Sequence, residues 1–71
     1  MVEIRTEITA NVWVVKVEAG QSVQEGDELV ILESMKMELP VEAPVSGTVV
    51  SVDVKPEDHV NEGDLIATIE P

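Results

Sequence analysis

Apolar and polar positions alternate along two stretches of this chain. Trp13, Val15 and Val17 alternate with Val14, Lys16 and Glu18, and Val50, Val52 and Val54 alternate with Ser51, Asp53 and Lys55. A period of two is the signature of a half-buried strand, so both stretches are predicted as β. Each is followed by a polar segment, residues 18–24 and 55–61, and then by Glu25-Gly26-Asp27 or Glu62-Gly63-Asp64. Gly26 and Gly63 are expected to supply positive φ in tight turns. A second apolar strand comes next in each case, residues 29–32 and 65–69; the faces of the first cannot be assigned by alternation, because all four residues are apolar.

The two stretches are copies of one unit. A gapless shift of 37 lays residues 9–33 over 46–70 with eight identities: Val12/Val49, Val15/Val52, Val17/Val54, Val23/Val60, Glu25/Glu62, Gly26/Gly63, Asp27/Asp64 and Glu33/Glu70. Chance would give on the order of one or two at ordinary residue usage. Two repeats of short strands imply a pair of small sheets packed face to face, or a flattened barrel, with a pseudo-two-fold axis.

Composition agrees. Fourteen Val, five Ile and four Thr stand against four Ala and four Leu, a β-branched bias that favours pleated strands. The fold class is therefore all-β, in one domain over residues 1–71. Trp13 is the single aromatic and is read as a core or barrel-end residue. Cysteine is absent, which excludes disulfides and thiolate zinc sites. The net charge of -11 disfavours nucleic acid as a partner. No apolar run exceeds four residues and Met1-Val2-Glu3 does not open a secretion signal, so no membrane contact and a cytoplasmic location are expected.

Between the copies lies Glu33-Ser34-Met35-Lys36-Met37-Glu38-Leu39-Pro40. Pro40 biases Leu39 toward extended geometry, so a chain reversal is required near Lys36. The segment offers none of the Asn-Gly, Asp-Gly or Gly-Gly pairs that two-residue hairpin turns prefer. Met and Lys in a positive-φ turn cost energy, which is expected where a side chain must stand out from a hairpin tip. Lys36 is also the middle residue, with 35 on either side, so the pseudo-dyad is expected close to it.

With these residues the chain resembles the biotinyl/lipoyl attachment domains, and in particular the small, free-standing biotin/lipoyl attachment proteins, which share Ser before Met-Lys-Met. The likeness takes in the repeat, both Gly-Asp turns and Ala43-Pro44-Val45-Ser46-Gly47-Thr48-Val49. Ala10 departs from it, standing where the first half of the family usually has Gly, as Gly47 does in the second. The resemblance implies a flattened β-barrel of two four-stranded antiparallel sheets, with biotin joined by an amide to an exposed Lys36. It implies Met35 and Met37 as recognition flanks, with Glu33, Ser34 and Glu38 as further ligase contacts. The implied function is a non-catalytic, monomeric carrier that is charged by biotin protein ligase and shuttles carboxylate between biotin carboxylase and carboxyltransferase components. Lipoyl domains share the fold but usually carry Asp before the lysine and Ala or Val after it, so Met-Lys-Met favours biotin over lipoate.

Two rivals stand beside this reading: a lipoyl or dual-specificity acceptor, and an unmodified β-barrel interaction module. Catalysis is disfavoured, since no nucleophile–base pair, metal cluster or phosphate loop stands at recognisable spacing. Lys16 and Lys55 read as outward lysines near strands, and His59 as a solvated loop residue.

Overall fold

The computed structural model describes all 71 residues, Met1–Pro71, as eight strands. These are β1 Val2–Arg5, β2 Ala10–Val15, β3 Ser22–Val23, β4 Glu28–Ser34, β5 Met37–Glu42, β6 Gly47–Val52, β7 His59–Val60 and β8 Leu65–Glu70. They form two four-stranded sheets in the orders β1-β8-β6-β3 and β5-β4-β2-β7, with every neighbouring pair antiparallel. No helix is long and apolar enough to cross a membrane.

The 37-residue shift carries one sheet onto the other. It sends β2 to β6 and β3 to β7 residue for residue, β4 to β8 with one residue over at Ser34, and β1 to the body of β5. Each sheet therefore takes two strands from each half, and neither half can close a core without the other. Lys36 does not lie on this axis as expected, because a residue on a two-fold is its own mate. The mate of the β4–β5 hairpin is the antiparallel β8–β1 pair, whose two strands come from opposite ends of the sequence. The pseudo-dyad thus relates the Lys36 tip to the paired termini.

β3 and β7 fall inside the two stretches read as polar connections; strands of two residues are too short to show a period. β2 and β6 begin three residues earlier than alternation suggests, and each is interrupted by a bulge, between Val12 and Val14 and between Val49 and Ser51. The extra residue reverses the alternation. Val12 and Val49 point into the core, while Trp13 and Val50 are 49% and 40% exposed. Trp13 is therefore not the core residue its sequence context suggested. A matching bulge between Glu28 and Val30 buries the consecutive Leu29 and Val30 and turns Ile31 outward, which settles the faces of that run.

Fourteen buried aliphatic residues, including Val12, Leu29, Val30, Leu32, Val49, Ile66 and Ile69, form one core between the sheets. Their aliphatic burial is the main stabilising term. Four turns recur as two pairs. In turns 24–27 and 61–64 the Asp amide donates to the first carbonyl at 3.0 and 2.9 Å, and the Asp carboxylate accepts from the first amide at 2.9 and 2.8 Å. Gly26 and Gly63 hold φ of 93° and 92°, as the turn requires. In turns 18–21 and 55–58 the positive-φ position is Gly20 in one copy and Glu57, at φ 76°, in the other.

Gly47 has a different reason to be glycine. Neither it nor Ala10 has positive φ, so the departure at Ala10 brings no backbone strain. At position 47 a Cβ would run into the Glu70 carbonyl oxygen and lie 2.9 Å from Ile69 Cγ2. Close approach of β8 is what excludes a side chain there.

Candidate functional site

β4 and β5 pair from Glu28↔Glu42 up to Glu33↔Glu38 and Ser34↔Met37, leaving Met35 and Lys36 as a two-residue loop. Their φ values are 52° and 65°. Two consecutive positive-φ residues define a type I′ turn, whose twist matches the right-handed twist of the strands it joins. That twist explains why a hairpin this tight enters the left-handed region. It does not explain the residues, since each non-glycine residue there costs about 1–2 kcal/mol.

The turn makes the tip a display site. Met35 is 91% exposed and Met37 60%, and Lys36 between them is exposed. Glu33 and Glu38 flank the tip as an exposed cross-strand pair, and Ser34 is half-buried at its base. The hairpin thus brings together all six positions singled out in the sequence. His59 lies elsewhere, on the edge strand β7, hydrogen-bonded through Nδ1 to Asn11 Oδ1 at 2.9 Å; it is a strand residue rather than a loop one.

The three lysines differ in their surroundings. Lys16 Nζ is tied to Glu28 Oε1 at 2.6 Å, and the one other ion pair joins Arg5 to Glu3. Lys36 has no ion-pair or hydrogen-bond partner, so its amine is held by nothing on the protein. Lys55 is also exposed, but it opens the ordinary 55–58 turn rather than a projecting tip. An unencumbered amine on a four-carbon stem is what acylation by another protein requires.

A flattened two-sheet barrel that displays a lysine between two methionines on a strained hairpin defines a class of carrier domain. Residues 2–69 match the Biotin_lipoyl family, described as "Biotin-requiring enzyme". The chain is 46% identical over 63 residues to the biotin/lipoyl attachment protein of Bacillus subtilis, an overlap of 89% of this chain and 86% of that one. It is 51% identical over 67 residues to the biotinylated protein TB7.3 homolog of Mycobacterium leprae, covering 94% of each. Among solved structures, the Kluyveromyces lactis urea carboxylase superposes with a TM-score of 0.91 at 36% identity, over 97% of this chain and 6% of that one. The chain belongs to the biotin/lipoyl attachment family.

Proposed function

We propose that the chain is a single biotin-accepting carrier domain over residues 1–71, with Lys36 as its covalent acceptor. With its ammonium deprotonated in the ligase site, the Lys36 amine attacks the valerate carbonyl of biotin activated by ATP as an acyl–phosphate anhydride; the C–N amide bond forms as the acyl–O bond breaks, the nucleoside monophosphate leaves, and the nitrogen's second proton passes to solvent. One positive charge is lost, taking the domain from the formal -11 to -12. Bound biotin supplies a ring nitrogen able to carry carboxylate. The domain's own part is mechanical: the core holds the hairpin rigid, the type I′ turn projects Lys36, and Met35 and Met37 offer adaptable apolar contacts to the ligase. Tethering keeps the group at an effective concentration of about mM at each site the domain visits. Its proposed partners are a biotin protein ligase, a biotin carboxylase and a carboxyltransferase.

The observation that carries this reading is the pair of positive-φ, non-glycine residues at an exposed tip, one of them an unpaired lysine. The urea carboxylase and the biotinylated TB7.3 homolog support biotin as the group attached. Peptide mapping after enzymatic biotinylation tests it: the label is expected on Lys36 and absent from Lys16 and Lys55. Label on either other lysine would contradict the assignment. Met35→Asp combined with Met37→Ala is expected to shift acceptance toward lipoate, and unaltered biotinylation of that variant would remove the methionines from recognition.

A further inference from the structure

The pseudo-two-fold supplies an internal control, because each position on the outer face of one sheet has a mate on the other. Across the hairpin-bearing sheet, Pro40 pairs with Ile31, and Ile31 is opposed by Val14 and the bulged Trp13. Their mates under the 37-residue shift are Glu3, Thr68, Ser51 and Val50, which occupy the same places in the β1-β8-β6-β3 sheet. One sheet thus carries a stripe of four apolar residues across its outer face, and the other carries a stripe with a single apolar residue.

The charged positions beside the stripe diverge as well. Glu33 faces Glu38 on the tip side and Glu28 faces Glu42 on the far side. Like charges directly opposite each other destabilise a sheet. The mates of these pairs are Glu70 with Met1 and Leu65 with Arg5, neither of them a like-charge pair. Lys16 neutralises Glu28, leaving Glu33, Glu38 and Glu42 without an ion-pair partner. An apolar stripe bordered by uncompensated carboxylates is unfavourable for the isolated domain, and it occurs only on the sheet whose hairpin presents Lys36.

We propose that the outer face of the β5-β4-β2-β7 sheet, centred on Pro40, Ile31, Val14 and Trp13, is the docking surface for the biotin protein ligase, which meets it with an apolar centre and a Lys/Arg rim. This rests on Lys36 being the acceptor. The unmodified amine stands only a four-carbon stem from the backbone, so the enzyme that acylates it must touch the domain near the tip. A specific interface needs about 800 Å² from each partner, which a two-residue loop cannot supply. The stripe begins three residues below Ser34, or about 10 Å from the turn at the rise of a strand, within the span of one such footprint. The three unpaired carboxylates select a cationic rim and speed encounter with it.

The test measures kcat and KM for biotinylation of the intact chain by a bacterial biotin protein ligase. Giving the stripe the residues of its mates (Trp13→Val, Val14→Ser, Ile31→Thr and Pro40→Glu together) is expected to raise KM at least about tenfold with kcat unchanged, the size of loss typical of a central apolar anchor. Glu33→Gln with Glu38→Gln is expected to raise KM about threefold at low salt and less at high salt, as a screened charge contact would. The same variant should melt no lower than the unaltered chain, because a repulsive pair has been removed. A purely structural role would lower stability and KM performance together. Thr68→Val with Ser51→Val on the opposite sheet should change neither constant. An unaltered KM in the stripe variant, in a chain that labels normally, overturns the docking surface and leaves the acceptor assignment standing. An unaltered ligase KM with a raised KM for carboxylation by a biotin carboxylase would equally overturn it and give the face to that enzyme. Absence of any labelling in the unaltered chain sinks both.

Discussion

At turns 24–27 and 61–64 the backbone passes through positive φ at Gly26 and Gly63, whereas at the β4–β5 tip it does so at Met35 and Lys36. The glycine turns only reverse the chain, and glycine adopts that conformation without strain. The hairpin tip reverses the chain through Met35 and Lys36, whose side chains stand exposed, and the left-handed strain persists there. A third case keeps this from becoming a rule. Gly20 and Glu57 occupy the same place in the two copies, both with positive φ, and nothing in the structure explains the glutamate. Positive φ at an L-residue is therefore a signal only together with exposure and chemistry, as at Lys36.

The comparison can be broken or sharpened at several positions. The largest effect is expected at Gly47, where conformation is ordinary and space is the constraint. Gly47→Ala should destabilise the fold by about 3 kcal/mol, because the new Cβ meets the Glu70 backbone, which cannot rotate away. Urea unfolding would read this, and a loss below about 1 kcal/mol would mean that β6 and β8 separate easily. Replacing the tip with Met35→Asn and Lys36→Gly should raise stability by about 1–2 kcal/mol while removing the acceptor. Equal or lower stability would show that the tip is not strained, and the contrast with the glycine turns would fall.

Glu57→Gly should produce the smallest change, a gain of about 0.5–1 kcal/mol. Relief of left-handed strain outweighs the added freedom of the unfolded chain, but only modestly. Biotinylation should be unaffected. A drop in labelling efficiency would give Glu57 a role that its position does not suggest.

Much of this is legible in the sequence. The repeat, the two Glu-Gly-Asp turns and the awkward reversal at Lys36 are local features, written in residues a few places apart. The bulges were not legible, because a bulge is a mismatch between two strands and neither strand records it alone. Trp13 shows the effect: alternation with Val15 and Val17 favours a core or barrel-end place for it, and the extra residue at the bulge turns it to the outer face. The strands Ser22–Val23 and His59–Val60 leave no mark in the sequence, because two residues cannot establish a period. The apolar stripe was hidden in part by the same cause: alternation already sets Val14 beside Lys16 and Glu18, but Trp13 and Ile31 join it on the outer face only once the bulges in β2 and β4 are known.

The central claim is that Lys36, raised on a strained tip, is the one residue a ligase acylates. Its most direct test is the intact mass of the chain after incubation with ATP, biotin and biotin protein ligase, beside Lys36→Arg and a parallel reaction with lipoate ligase. A gain of one biotinyl group by the unaltered chain, with none by Lys36→Arg and no lipoyl gain, is the predicted result. Biotinylation that survives in Lys36→Arg, or a folded chain that neither ligase modifies, would contradict it.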